Sequence, residues 1–191
     1  MITIKQAMEK MATVENSDCE PQNAWSAEDV AKLEDGLVYS RIPGDDVRKL
    51  SLPSQLKEFL REVGICSAGY DNAFLVTFDS GGTAINETQV IGSDCPDRII
   101  DYSKTFLPYY CGENRDQFMP GRVPYGYVFM GTAEGGHAYL LMDGTNPENN
   151  AVYIWGLAYD PWGEGDNTLG IGKCADTLAE FLYNLCSRED L

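Results

Sequence analysis

The chain has 191 residues, with 30 Asp and Glu against 14 Lys and Arg, for a formal net charge of −16. A surface of that sign repels nucleic acid and anionic lipid and draws in cations and basic proteins. With 43% apolar residues, 11 Tyr, 7 Phe and 3 Trp, the composition is globular, and a chain of this length buries roughly 70% of its unfolded surface, enough to fold without staples.

In chain order, residues 1–24 read as an N-terminal arm and linker. MITIKQAMEKM sets Ile4, Ala7, Met8 and Met11 at helical spacing, and the polar stretch after it carries Pro21. No apolar run here makes the h-region of a signal peptide. The longest apolar run, Val152–Tyr159, is far too short to span a bilayer. The expected location is therefore cytoplasmic, with no membrane partner.

Residues 25–191 read as a single domain. Its first helix is SAEDVAKLEDGL, capped by Ser26 with Asp29 three positions on, and striped by Val30, Leu33 and Leu37. The second is LPSQLKEFLREVG. Pro53 sits in the first turn, Leu52, Leu56, Phe59, Leu60 and Val63 share one face, and Gly64 is a natural stop. AFLVTF (73–78) and INETQVIG (85–92) read as strands about the turn Asp79–Gly82, and DRIIDYSKTF (97–106) reads as a helix. YGYVFMG, AYLLMD and AVYIWGLAY then form a meander of aromatic and β-branched runs, broken by GTAEGG and GTNPENN. The last helix, TLAEFLYNL, opens on a T-x-x-E capping motif at Thr177 and Glu180. This order predicts an α+β fold, a mixed or mainly antiparallel twisted sheet packed by helices on one side.

Cysteines stand at 19, 66, 95, 111, 174 and 186, with no C-x-x-C pair. Without an export signal, they are expected to be reduced and to act as small hydrophobes. His137, in GTAEGGHAYLLM, is the only histidine. A Cys–His hydrolase would have to pair it with Cys66, Cys95 or Cys111. A lone histidine after two glycines and before an apolar strand is read instead as structural or interfacial. Gly170-Ile-Gly-Lys-Cys174 looks like the end of a P-loop, but the first glycine of that motif falls at Asn167. DPWGEG looks like the start of an EF-hand loop, yet Trp162 and Ile171 occupy positions that need oxygen ligands. No cofactor, metal or catalytic residue is expected. Scattered basic residues and the absence of zinc or RRM motifs argue against nucleic acid as a partner.

The sequence of features AEDVAKLEDGL, LPSQLKEFLREVG, YVFMGTAEGGHAYLLMD, VYIWGLAYD and ADTLAEFLYNL resembles the SUKH superfamily. That group includes the fungal Smi/Knr cell-wall regulator and many bacterial immunity proteins. The likeness runs from about Trp25 to Leu185. Glu34 takes the place of the opening-helix acid, Leu52, Pro53, Phe59 and Leu60 the second-helix positions, and Gly135 and Gly136 the turn glycines. Val152 and Tyr153 match the late strand, and Phe181 and Leu182 the last helix. These are core and turn positions, which speak to fold more than to activity. The resemblance implies a non-enzymatic domain that binds and neutralises a cognate toxin, often a nuclease. A net charge of −16 suits a basic toxin, occluded sterically and steered electrostatically. An intracellular scaffold or adaptor on the same fold is the alternative, with residues 1–24 then serving recruitment.

Two stretches have the composition of a binding hot spot. DPWGEGDN offers Trp162 as an aromatic anchor among Asp160, Glu164 and Asp166, and the turn at Glu134 and His137 is the second.

Overall fold

The computed structural model describes residues 2–14, 23–39, 48–68, 72–106, 123–124, 126–157 and 167–191. Helix α1 (Ile4–Met11) forms where the spacing predicts, with Thr3 and Gln6 in a reciprocal capping box. It is not left in solvent. Ile4, Ala7 and Met11 are fully buried in the same core cluster as the rest of the chain.

Helix α2 (Ala27–Gly36) starts at the Ser26–Asp29 capping box read from the sequence. Strands β1 (Val38–Tyr39) and β2 (Arg48–Lys49) make a small antiparallel ribbon after it. Helix α3 (Ser54–Glu62) begins directly after Pro53 and buries Leu56, Phe59 and Leu60. Gly64 ends it at φ 82°, a conformation that costs glycine nothing. The Lys57 ammonium reaches back to the Glu34 carboxylate, so the opening-helix acid ties α2 to α3.

The sheet consists of β3 (Ile65–Ser67), β4 (Asn72–Phe78), β5 (Thr83–Gly92), β6 (Tyr127–Ala133), β7 (Ala138–Asp143), β8 (Val152–Gly156), β9 (Ile171–Ala175) and β10 (Cys186–Ser187). Its spatial order is β10-β4-β9-β8-β7-β6-β5-β3, with β4 also pairing β5. That last pairing closes β4 through β9 into a six-stranded antiparallel barrel, with β3 and β10 as side strands. The α+β expectation with an antiparallel sheet holds, and the sheet curls until its first strand meets its last. Long β5 makes closure possible: Thr83–Glu87 pair β4, while Thr88–Ile91 pair β6 across a register shift that bends the strand.

Strand β9 was not legible as a strand. It lies in a ladder between β4 and β8, in keeping with the failure of Gly170–Cys174 to match a P-loop. Gly172 is needed there because a β-carbon would overlap the Val76 and Phe78 side chains.

Helix α4 (Pro96–Asp101) runs on as a π-turn to Phe106, and Tyr102 within that turn stacks on Phe129 at 4.5 Å. Helix α5 (Leu178–Asn184) begins where Thr177 accepts the Glu180 N–H, and Phe181 meets Phe74 of β4 edge-on at 5.0 Å. Helix α1 packs along α5, and its Lys10 ammonium donates to the Leu185 carbonyl at the end of α5.

Cys66 departs from the reduced set expected of the cysteines. It is fully buried and disulfide-bonded, whereas Cys95, Cys174 and Cys186 are free thiols. No helix of the described residues is long and apolar enough to cross a membrane.

Candidate functional site

Three strand connections meet at one end of the barrel, and a chain of hydrogen bonds joins them. Ser80 Oγ, in the turn between β4 and β5, donates to the Leu169 carbonyl at 3.4 Å. Asn167 is 3% exposed, and its Nδ2 donates to the carbonyls of Gly156 and Gly170 at 2.8 and 3.0 Å. Its Oδ1 accepts the N–H groups of Leu169 and Gly170 at 2.9 and 2.7 Å. Leu157, just past β8, donates to the His137 carbonyl at 2.8 Å. The Glu134 carboxylate accepts the Glu87 N–H at 2.6 Å.

The turn between β6 and β7 has an unusual backbone. Glu134, Gly135 and Gly136 all have positive φ, at 51°, 63° and 92°. Glycine takes such values freely, but Glu134 is the one non-glycine among the described residues that does so. Two contacts hold it. Its carbonyl accepts the His137 N–H at 3.0 Å, and its carboxylate caps β5 at Glu87. A charge-assisted bond of this kind is about twice as strong as a neutral one. Backbone strain of this sort gathers at functional surfaces.

The structure places Glu134 and His137 together as the two ends of this exposed turn. His137 bonds through its backbone on both sides, to Glu134 and to Leu157, so the position is structural as well as exposed. Asp160, Trp162, Glu164 and Asp166 lie outside the described residues. Their flanks are fixed: Leu157 is tied to His137, and Asn167 is tied to Gly156. The described flanks of that stretch, Leu157 and Asn167, therefore lie at the same end of the barrel as the Glu134–His137 turn.

The Cys–His pair of the hydrolase alternative is not assembled by the described cysteines. Cys66 is bonded and buried. Cys95 follows Gly92, while His137 follows Ala133, which pairs Thr88. The two residues leave the ladder in opposite directions, more than about 13 Å apart at strand rise. Cys111 lies outside the described residues. Burial pushes the free Cys174 thiol well above its ordinary value, which keeps it protonated. Among the described residues no cluster of His, Cys, Asp or Glu has a metal-binding arrangement.

The sequence reading missed Asp79, exposed in the 79–82 turn, and Glu87, which pairs with Arg188 at 3.0 Å. It also missed Asn167, the clamp of the 157–170 connection. An asparagine two and three residues ahead of Leu169 and Gly170 is a local turn signal that marks such a clamp. An open hollow lies between α1 and α5, lined by Ile2, Gln6, Glu9, Lys10 and Tyr183. Lys10 spans it, 5.8 Å over the Tyr183 ring, and its bond to Leu185 gives it a structural task.

The sequence model of the SMI1/KNR4 family (SUKH-1) matches residues 26–184. No curated protein and no solved structure matches the chain.

Proposed function

The chain belongs to the SMI1/KNR4 family (SUKH-1), a family associated with immunity to polymorphic toxins, and on that premise we propose that it is a non-enzymatic immunity protein whose cognate toxin is basic and nuclease-like. It neutralises the toxin by covering its cationic cleft. The barrel end with the three connections is the contact surface, with Glu134 and His137 on the rigid turn and Trp162 as the aromatic anchor among Asp160, Glu164 and Asp166. The observation that supports this reading is the hydrogen bond from Leu157, which leads into the Trp162 stretch, to His137 of the other stretch, in a chain of net charge −16. Acidic groups there raise the on-rate for a basic partner, and the effect fades with salt over a Debye length of about 10 Å at 0.1 M.

Residues 25–191 are the binding unit in this reading, and residues 1–24 are an attachment whose helix α1 props α5. The encounter takes place in the cytoplasm. The bridge at Cys66 pulls against a reducing compartment. Thiol titration of unfolded, rapidly trapped protein decides the matter: six free thiols place it in the cytoplasm, and four place it elsewhere.

The function is tested by affinity capture of tagged protein from its native cells, washed at low and high salt, with mass spectrometry of what is retained. The expected result is one basic protein, toxic when expressed alone and silenced by co-expression of this chain. Recovery of an assembly of non-toxic proteins instead would move the function to that of a scaffold.

A further inference from the structure

Among the described residues only four large hydrophobic side chains are exposed: Leu75, Ile85, Tyr183 and Leu191. Two of them, Leu75 (44% exposed) and Ile85 (37%), sit directly opposite one another on β4 and β5. They lie on the face opposite Phe74, Val76 and Phe78, which are buried. The ladder type follows from the turn. Phe78 donates to the Gly82 carbonyl, so Thr77↔Thr83 and, two residues on, Leu75↔Ile85 are non-hydrogen-bonded pairs. Glu87 agrees with this phase, because its N–H points away from β4 to Glu134.

Two consequences follow. In a non-hydrogen-bonded pair the Cα atoms are about 4.5 Å apart, so Leu75 and Ile85 form one continuous apolar spot. The N–H and C=O of Ile85 also point away from β4, to the other edge of β5. Strand β6 pairs β5 only from Thr88 onward, so among the described strands none covers Thr83–Asn86 on that side. Among the described residues, an apolar spot thus lies beside a short strand edge that no strand pairs, and edges of this kind accept added strands.

The charge around it selects the occupant. Asp79 and Glu134 are exposed at the two turns on either side. Two described bases beside these strands are paired with acids, Lys173 with Asp176 and Arg188 with Glu87. A second copy of this chain, itself at −16, is repelled, whereas a cationic segment is attracted. We propose that the Leu75–Ile85 face and that edge of β5 dock an extended cationic segment of the partner protein, added as a strand with apolar side chains on Leu75 and Ile85 and basic ones toward Asp79 and Glu134. The proposal rests on the reading that the partner is a basic protein, and it adds where and how that protein is held.

The test uses two synthetic probes, a short alternating Lys–Val peptide and a Lys–Ser peptide of the same charge. The full chain is titrated with each and followed by amide hydrogen exchange and NMR. The Lys–Val peptide is expected to protect the Ile85 amide and to bind about tenfold more tightly than the Lys–Ser peptide, a difference that one well-placed apolar contact supplies. The neutral variants Leu75→Ser and Ile85→Ser are expected to remove that preference while their Tm stays within about 2 °C of the parent, as exposed substitutions do. Equal binding of the two peptides, protection confined to other strands, or a dimer in sedimentation that Leu75→Ser dissolves would overturn the proposal. A toxic basic partner that binds Leu75→Ser as tightly as the parent would overturn it too and leave the immunity reading intact. If no toxic partner exists but the Lys–Val peptide protects Ile85, the immunity reading fails and the docking face stands.

Discussion

The two ends of the barrel use positive-φ glycine for different purposes. At the helix-covered end, Gly64 stops α3 at φ 82° with the chain packed tightly about it, and a β-carbon there would overlap the Asn23 carbonyl oxygen. At the turn end, Gly81 has φ 88°, and a β-carbon would meet nothing within 4 Å. The first glycine is required by packing and by conformation, the second by conformation alone. One end is built for stability, and the other holds a defined shape toward open solvent.

The sharpest way to break the comparison is to put alanine at each. Both variants incur the left-handed penalty, roughly 1–2 kcal/mol. Gly64→Ala adds a backbone collision that no side-chain rotation relieves, so it is expected to lose more than about 3 kcal/mol in total. Gly81→Ala is expected to lose only about 1 kcal/mol. Urea unfolding of the two variants measures the difference, and equal losses would mean that the ends are not packed differently.

Asn167→Ala acts on the turn end alone. It removes four hydrogen bonds that clamp Gly156, Leu169 and Gly170, leaving buried backbone groups unpaired at about 1–3 kcal/mol each where water does not replace them. The expected loss is about 2–3 kcal/mol. Faster hydrogen exchange at Leu157 and Leu169, with the helix-end amides unchanged, would locate it. Acceleration spread evenly over the barrel would show that the turn end is not a separate unit.

The same contrast explains what could be read from the sequence. Ser26 with Asp29, Thr177 with Glu180 and the stop at Gly64 are signals written within a few residues, and the helices they bound are where they were expected. Barrel closure depends on β4 meeting both β5 and β9, with Thr77 facing Lys173 almost a hundred residues away. No local pattern encodes such a pairing. Strand β9 was hidden because Gly172, which its packing demands, breaks the alternation that would reveal a strand. Helix α1 was visible by spacing, but its partner α5 lies at the far end of the chain, so a buried helix read as part of an arm. At the candidate site, the glycines of GTAEGGH announced a turn. The positive φ of Glu134 and its bond to Glu87 could not be seen, because both depend on where β5 runs.

Glu134 itself separates shape from stability at the turn end. In Glu134→Gly, relief of the φ 51° backbone gains about 1 kcal/mol and loss of the carboxylate bond to Glu87 costs about the same. Stability is expected to change by less than about 0.5 kcal/mol, the range of a neutral surface change. Affinity for a cationic partner falls, because the turn loses a charge and its fixed conformation together. A binding titration of this variant against the Lys–Val peptide reads the second effect, and an unchanged affinity would take Glu134 out of the interface.

The smallest effect lies at the helix end and is a matter of pH. The Ser26 hydroxyl and N–H both donate to the Asp29 carboxylate and hold its pKa below the ordinary value. A depressed folded-state pKa contributes stability that is fully present above the unfolded value and is lost as pH falls through the folded one. Asp29→Asn keeps the shape of the cap and removes the charge. The variant is therefore expected to melt slightly below the parent near neutral pH, and the gap is expected to close as the pH falls through the lowered pKa of the carboxylate. Tm measured across that range for both proteins checks it. A gap that stays constant with pH would mean that hydrogen-bond geometry, and not the carboxylate's charge, holds the start of α2. Because Asp29 is exposed, added salt should shrink the part of the gap that comes from its attraction to the helix N-terminus, while the Ser26 bonds persist.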